Sequence, residues 1–389
     1  MAIRKIDELN IKDKRVFVRV DFNVPIEQGR VTEPHRIDSA LPTIRLVLSS
    51  AKKVIIASHL GRPGGKKSAE WSLAPVRDYV EQALATPVTL APDCIGAEVE
   101  ALVREPHPKI ILLENLRFHK EEEKNDLDFS RALASLADVY VNDAFGAAHR
   151  AHASTAGMAS FFHEKAAGLL LFKELEYLGR ILSSPERPFI TILGGAKVSD
   201  KIGILQTLLS KVDALLIGGG MAYTFLKARG AGVGKSLVEE ERLTLALEIA
   251  AQAEARGIPF LLPVDHVVAD TAKKNPSTVE GDIPPDFLGL DIGPKTADQF
   301  STEIRKARMA LWNGPLGMFE VNEFSRGTIS IAKTLAESRA ISIVAGGDTV
   351  AAITKAGVEE KITHLSTGGG ATLEFLEGRK LPGIQALET

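Results

Sequence analysis

In the first half of this 389-residue chain, four short apolar runs end in charged and hydrogen-bonding side chains. They read Val18-Arg-Val-Asp-Phe-Asn23, Ile56-Ala-Ser-His-Leu-Gly-Arg62, Leu113-Glu-Asn-Leu-Arg-Phe118 and Val141-Asn-Asp-Ala-Phe-Gly146, with Ala148-His-Arg-Ala-His152 soon after. Arg36 opens the helical stretch behind the first run. Arg36, Arg62, Arg117 and Arg150, with His59 and His152, would thus converge on one face beside Asp21 and Asn23. Arginine offers a planar fork of donors that matches phosphate and carboxylate oxygens. A single such arginine is ordinarily a solvated surface residue. Four at the ends of strands imply a small, multiply anionic ligand.

The second half places glycines where the first half places charge. Its apolar runs end in Leu193-Gly-Gly-Ala-Lys197, Ile217-Gly-Gly-Gly220, Trp312-Asn-Gly-Pro-Leu-Gly317, Ala345-Gly-Gly-Asp-Thr349 and Ser366-Thr-Gly-Gly-Gly-Ala371. Glycine lets backbone N–H groups approach a ligand closely, and a following helix N-terminus favours anions. One Gly-Gly turn is ordinary turn chemistry; five at successive strand ends point to a nucleotide. Asp348, between glycines and a helix start, is the best Mg²⁺ candidate, because Mg²⁺ takes one or two carboxylates plus phosphate oxygens. The same carboxylate would also serve as a helix N-cap. Of 33 glycines, 9 lie in residues 1–184 and 24 in 185–389, whereas 7 of 9 histidines fall in the first half. The halves are therefore expected to hold different ligands.

Two stretches imitate a phosphate loop without its spacing. In Ala231-Gly-Val-Gly-Lys-Ser236 the first Gly of G-x-x-x-x-G-K-[ST] falls on Arg229, and in Gly61-Arg-Pro-Gly-Gly-Lys-Lys-Ser68 the second falls on Lys66. No G-x-G-x-x-G follows the first run, which lowers a nicotinamide-dependent reading. No Gly-x-Ser-x-Gly elbow is present, and Cys94 has no activating context, so it reads as a structural thiol.

The elements that must position these residues alternate. Strands are expected at Arg15–Val20, Val54–Ser58, Ile110–Leu113, Val139–Val141, Phe189–Leu193, Ala214–Ile217, Phe260–Pro263, Ala310–Trp312, Ile341–Ala345 and Thr363–Leu365. Most are continuous apolar runs, as in parallel strands covered on both faces. Helical periodicity fits Ile37–Leu48, Pro75–Leu84, Ser130–Leu136, Leu169–Leu182, Ile202–Leu209, Glu239–Ala255 and Thr328–Leu335. This alternation predicts an α/β fold with two doubly wound, Rossmann-like parallel-sheet domains. The long helix near 169–182, followed by Ser183-Ser-Pro-Glu-Arg-Pro188, marks the break between them.

Composition narrows the class. Lys+Arg number 47 against 50 Asp+Glu, a net charge of −3 with no dominant basic face, which argues against nucleic acid as partner. No apolar stretch nears the ~20 residues of a membrane span, and no secretory h-region is readable at the N-terminus. The single cysteine excludes an internal disulfide and fits a reducing compartment. A cytoplasmic enzyme without membrane association is expected.

Together the strand-end motifs resemble phosphoglycerate kinase over about Val16 to Glu377. The matching segments are Arg19–Pro25, Ser58–Pro63, Glu114–Phe118, Asn142–Gly146, His149–His152, Gly194–Lys201, Gly218–Met221, Trp312–Pro315, Gly346–Thr349 and Ser366–Gly370, with Gly289–Pro294 fitting as well. The resemblance implies reversible transfer of the acyl phosphate of 1,3-bisphosphoglycerate to MgADP, giving 3-phosphoglycerate and MgATP. It implies a phosphoglycerate-binding domain at 1–168, an interdomain helix at 169–184, a nucleotide-binding domain at 185–371, and a segment 372–389 that returns to the first domain. By motif position, Asp21, Asn23, Arg36, His59, Leu60, Gly61, Arg62, Arg117 and Arg150 would bind the phosphoglycerate. Lys201 and Gly346, Gly347, Asp348 and Thr349 would hold nucleotide phosphates, with Asp348 on Mg²⁺. Gly218, Gly219, Gly289, Leu290, Asn313 and Pro315 would line the nucleotide site, and Glu320 would reach the ribose. Arg36 and Lys197 would face the moving phosphoryl group as the catalytic pair. Gly368, Gly369 and Gly370 would form a hinge and helix start. The family is usually monomeric.

The residue types suit this chemistry. The nucleophile is already an anion, so no general base is required. Alignment and charge neutralisation are what the reaction needs, and cations with backbone donors supply both. His59 and His152 are accordingly expected to make ligand or hinge hydrogen bonds. Two other readings stay open from sequence: a kinase of another small carboxylic acid, and a two-lobed binding protein without turnover.

Overall fold

The apolar runs of the first half pair side by side in a computed structural model that describes residues 3–388. Six strands form one wholly parallel sheet: β1 (Arg15–Arg19), β2 (Lys53–Ala57), β3 (Val88–Leu90), β4 (Ile110–Leu112), β5 (Val139–Asn142) and β6 (Lys165–Ala167), in the order β3-β4-β2-β1-β5-β6. Consecutive residues of β1, β2, β4 and β5 are buried, because the strands are covered on both faces. The helix His35–Ser50 turns Ile37, Ala40, Leu41, Ile44 and Val47 inward, an i, i+3, i+4, i+7 stripe. That packing fixes Arg36, in its first turn, at the strand ends. β3 and β6 were not among the expected strands. Each is three residues long, and Lys165-Ala-Ala167 carries none of the β-branched or aromatic residues that mark a strand.

The second half builds another six-stranded parallel sheet. Its strands are β7 (Phe189–Leu193), β8 (Ala214–Ile217), β9 (Phe260–Leu261), β13 (Met309–Asn313), β14 (Ile341–Ala345) and β15 (His364–Leu365), ordered β9-β8-β7-β13-β14-β15. Between β9 and β13 the chain adds an antiparallel sheet, β10 (Asp265–Asp270), β11 (Ser277–Glu280) and β12 (Phe287–Ile292), with β10 central. This sheet was not expected. β11 is mostly exposed and polar and offers no apolar run to detect. The helix Pro294–Lys306 was also missed. Its amides at Lys295 and Thr296 are capped by the carboxylate of Asp265, some thirty residues back, which no local pattern reveals.

The chain folds as two compact units. One runs to Glu176 and includes the segment from Arg379 onward; the other is Tyr177–Gly378. The division falls inside the helix Leu169–Ser183. Each unit has its own core, one under β1, β2, β4 and β5 and one under β7, β8, β13 and β14. The two-domain, parallel-sheet α/β class expected from the sequence is the class observed. Among the described residues, no helix is long and apolar enough to cross a membrane.

Candidate functional site

In the first unit the exits of β1, β2 and β4 bring charged side chains into mutual contact. Asp21 is buried, with its Oδ2 3.5 Å from Arg36 Nη1 and its Oδ1 3.8 Å from His59 Nδ1. Arg36 Nη1 donates to the Asn23 carbonyl at 3.0 Å, and Asn23 Oδ1 accepts from the Gly61 amide at 2.8 Å. Arg117, 5% exposed, donates to the Gly61 carbonyl at 2.6 Å. Gly61 has φ +59°, and a Cβ there would collide with Trp71 at 2.0 Å, so only glycine fits this junction. Leu60 is held at both its amide and its carbonyl by the buried side chain of Asn115. Arg150 donates to His149 Nε2 at 3.1 Å. Arg62 is exposed and joins no hydrogen bond or ion pair among the described residues.

Beneath this face lies a buried polar chain that the sequence did not disclose. Arg19, 1% exposed, donates through Nε to Ser154 Oγ at 2.7 Å and through Nη2 to His59 Nδ1 at 3.3 Å. A guanidinium only donates, so Nδ1 of His59 accepts and Nε2 carries the proton in the neutral ring. Ser154 in turn donates to Glu122 through its amide (2.9 Å) and its hydroxyl (2.5 Å).

The charges in this site set one another. Burial would raise the Asp21 carboxyl, but Arg36, with His59 and Arg19 behind it, outweighs burial and holds it below its ordinary range. Burial, and then the arginines against the pull of Asp21, push His59 well below its ordinary value; a neutral ring leaves the arginines as the partners that hold Asp21 ionised. His152 is pushed down to about 3 by burial and by Arg19, Arg117 and Arg150. Both rings are therefore neutral near pH 7. An unfolded chain protonates histidine near 6.5 while the folded one resists, so the unfolded state binds more protons as the pH falls. Stability from His152 is intact above about 6.5 and is lost progressively toward 3. Thermal unfolding measured over that acid window should show a shallower loss for His152→Gln than for wild type; an unchanged slope would contradict this assignment.

In the second unit the glycine turns interlock. Gly194 N donates to Asn313 O at 3.0 Å, Gly195 N to Pro315 O at 2.9 Å, Gly218 N to Leu193 O at 2.8 Å, and Gly219 N to Leu316 O at 3.0 Å. A Cβ on Gly314, whose φ is +97°, would sit 2.2 Å from the Gly194 carbonyl. These glycines thus serve close approach of backbone to backbone. That corrects the expectation that their amides stand open to a ligand: those of Gly194, Gly195, Gly218 and Gly219 are already engaged. The turn Gly346–Thr349 is different. It starts the helix Gly347–Ala356, and among the described residues the amides of Gly347, Asp348 and Thr349 have no acceptor.

Around that turn the remaining candidates meet. Lys201 Nζ donates to Asn313 Oδ1, and Asn313 Nδ2 donates to the Ala345 carbonyl at 2.8 Å. Thr349 Oγ1 accepts from the Gly314 amide at 2.7 Å. Burial lowers the pKa of Lys201, opposed by the nearby charges of Asp200 and Asp348. Asp348 itself is exposed in the helix's first turn. Gly289 and Leu290 lie on β12, where the Leu290 carbonyl accepts from Met318 N at 2.8 Å. Glu320 is exposed, with its backbone carbonyl taken by Lys355 Nζ at 3.3 Å. Lys197 is exposed, and its charge acts on Glu239. Gly368, Gly369 and Gly370 lead into the helix Gly370–Leu376, with Gly369 at φ +50° and the Gly368 amide on Ser366 Oγ at 3.2 Å.

Comparison with known proteins gives the family and the fold. The sequence model of the phosphoglycerate kinase family matches residues 6–379. The chain is 56% identical over 395 residues to phosphoglycerate kinase of Anaeromyxobacter sp. strain K, and 54% identical over 400 residues to that of Koribacter versatilis; the alignments cover 100% of this chain and 100% and 99% of those proteins. It is similar to the solved structure of phosphoglycerate kinase from Coxiella burnetii, with a TM-score of 0.88 and 40% identity over 99% of each chain. The Pyrococcus horikoshii enzyme gives a TM-score of 0.86 and 32% identity over 98% of each.

Proposed function

The chain belongs to the phosphoglycerate kinase family, and from that premise we propose how its two units divide the reaction. The activity is the reversible transfer of a phosphoryl group between 1,3-bisphosphoglycerate and ADP, giving 3-phosphoglycerate and ATP, a glycolytic step. In our reading the first unit binds the triose acid through Asp21, Asn23, Arg36, His59, the Leu60–Arg62 turn, Arg117 and Arg150. The second unit binds the nucleotide through Lys197, Lys201, Gly218, Gly219, Gly289, Leu290, Asn313, Pro315, Glu320 and the Gly346–Thr349 turn. The observation that carries this division is the contrast between a bonded arginine–histidine cluster in one unit and open helix-start amides beside Lys201 in the other.

A β-phosphate oxygen of ADP attacks the phosphorus of the acyl phosphate in line, and the carboxylate leaves with the bonding electrons. Neither group has a proton to lose, which suits a site whose histidines are neutral. Arg36 and Lys197 neutralise charge on the transferring oxygens. Asp348 fits Mg²⁺: a single exposed carboxylate beside open amides leaves the remaining positions to phosphate oxygens and water. Bound there, the ion would screen phosphate charge. In this reading acid and nucleotide bind different units, Gly368–Gly370 serve as a hinge, and a site that excludes water would protect the hydrolysable acyl phosphate.

The test is ATP formation from ADP and enzymatically generated 1,3-bisphosphoglycerate. Lys197→Ala should lower turnover by ~10²–10³. Acetate or glycerate should not replace 3-phosphoglycerate in the reverse assay. Wild-type turnover in Lys197→Ala, or equal use of those acids, would refute the assignment.

A further inference from the structure

The stretch Ala231–Ser236, which imitates a phosphate loop, has another use in the fold. Ser236 is buried, and its Oγ accepts the amide of Gly289 on β12 at 2.9 Å. Lys235 N donates to the Phe287 carbonyl at 2.8 Å, on the same strand. Val233 bridges to Ile283 and packs with Tyr223 and Val268. Gly289 is set tightly there, since a Cβ on it would lie 2.1 Å from the Tyr223 hydroxyl.

Three residues beyond Ser236, Glu239 holds a second edge. Its Oε2 accepts the Ser199 amide at 3.0 Å and its Oε1 accepts the Ser199 hydroxyl at 2.6 Å. Its own amide donates to Thr224 Oγ1 at 3.1 Å, and Thr224 is 1% exposed in the helix Met221–Ala228 that follows the Gly218–Gly220 turn. The turn Ser199–Lys201 has no capping side chain of its own. Glu239 supplies that acceptor from forty residues away, anchored on a buried threonine. Lys197 lies two residues before Ser199 and Lys201 two after it.

We propose that the segment Ser236–Glu239 is a brace tying the β12 edge of the nucleotide site to its lysine-bearing turn, with Glu239 the positioning residue for Lys197 and Lys201. It rests on the reading that these two lysines serve the phosphoryl group. The Glu239–Ser199 contact is only half-buried, so its loss costs little stability. It does release the backbone between two lysines whose placement decides the rate, and misplacement by about 1 Å costs up to ~10²-fold.

The test compares Ser199→Ala, Glu239→Ala, the double variant and Ser236→Ala with Lys197→Ala and Lys201→Ala. Each of the first two should lose about ten- to a hundredfold in kcat, with the ADP dissociation constant within about threefold of wild type and an unchanged melting temperature. The double variant should be no worse than Glu239→Ala alone, because Ser199→Ala removes only the hydroxyl bond, one of the two bonds that Glu239→Ala already removes. Ser236→Ala should instead weaken ADP binding more than it lowers kcat. Wild-type kcat in Ser199→Ala and Glu239→Ala beside inactive lysine variants would overturn the brace, as would additive losses in the double variant. Active lysine variants would bring down the reading of the site and the brace with it.

Discussion

Arg36→Ala should slow phosphoryl transfer by ~10²–10³, about 3–4 kcal/mol of transition-state stabilisation, while leaving ADP affinity within a factor of about two. Arg36 belongs to the first unit, on the helix that follows β1, and its bonds are to Asp21 and Asn23 of that unit. Among the described residues it makes no bond that would order the glycine turns. Its guanidinium is half-buried, so the substitution removes a pre-placed charge without opening the core. Single-turnover measurements separate this chemical effect from binding. A loss of ADP affinity equal to the loss of rate would place Arg36 on the nucleotide and contradict its role.

Glu122→Ala should lower the stability of the first unit by ~3–5 kcal/mol, because it leaves the buried amide and hydroxyl of Ser154 without their acceptor and removes the carboxylate whose charge faces buried Arg19. Glu122 is 0% exposed and reaches Arg19 through Ser154. Burial raises its carboxyl above the ordinary range, while the charge of Arg19 and the two bonds from Ser154 pull the other way. Glu122→Gln keeps an acceptor for Ser154 and should cost less. Urea unfolding checks both, and a loss below about 1 kcal/mol in the alanine variant would contradict the network. Weaker binding of 3-phosphoglycerate should accompany it, since Arg19 also orients His59.

The parallel strands were legible because each carries an unbroken apolar run, Val16–Val18 in β1, Val54–Ala57 in β2 and Met309–Trp312 in β13. The candidate site was legible for a related reason. In this topology chemistry gathers at strand exits, so Asp21–Asn23, His59–Arg62 and Gly346–Thr349 stand as short contiguous runs after readable strands. What stayed hidden depends on burial or on distant contacts. Arg19 sits inside β1 and differs in no local way from a solvated arginine, yet it is the charge beneath His59. Glu122 lies in Lys120-Glu-Glu-Glu-Lys124, which reads as a solvated face, and only the fold turns it inward. Ser236 and Glu239 act on Gly289 and Ser199 across long sequence separations. The glycine turns misled in part. Glycine permits both ligand approach and backbone interlocking, and composition cannot distinguish Gly194, whose amide is taken by Asn313, from Gly347, whose amide is open.

Amide hydrogen exchange with each ligand alone tests most directly whether acid and nucleotide occupy different units. With 3-phosphoglycerate, protection should rise around Asp21–Asn23 and His59–Arg62 and stay unchanged at Gly346–Thr349. With ADP the pattern should reverse, protecting Gly346–Thr349 and the β12 edge at Gly289 while leaving the first unit as it was. Protection of the same unit by both ligands would contradict the account.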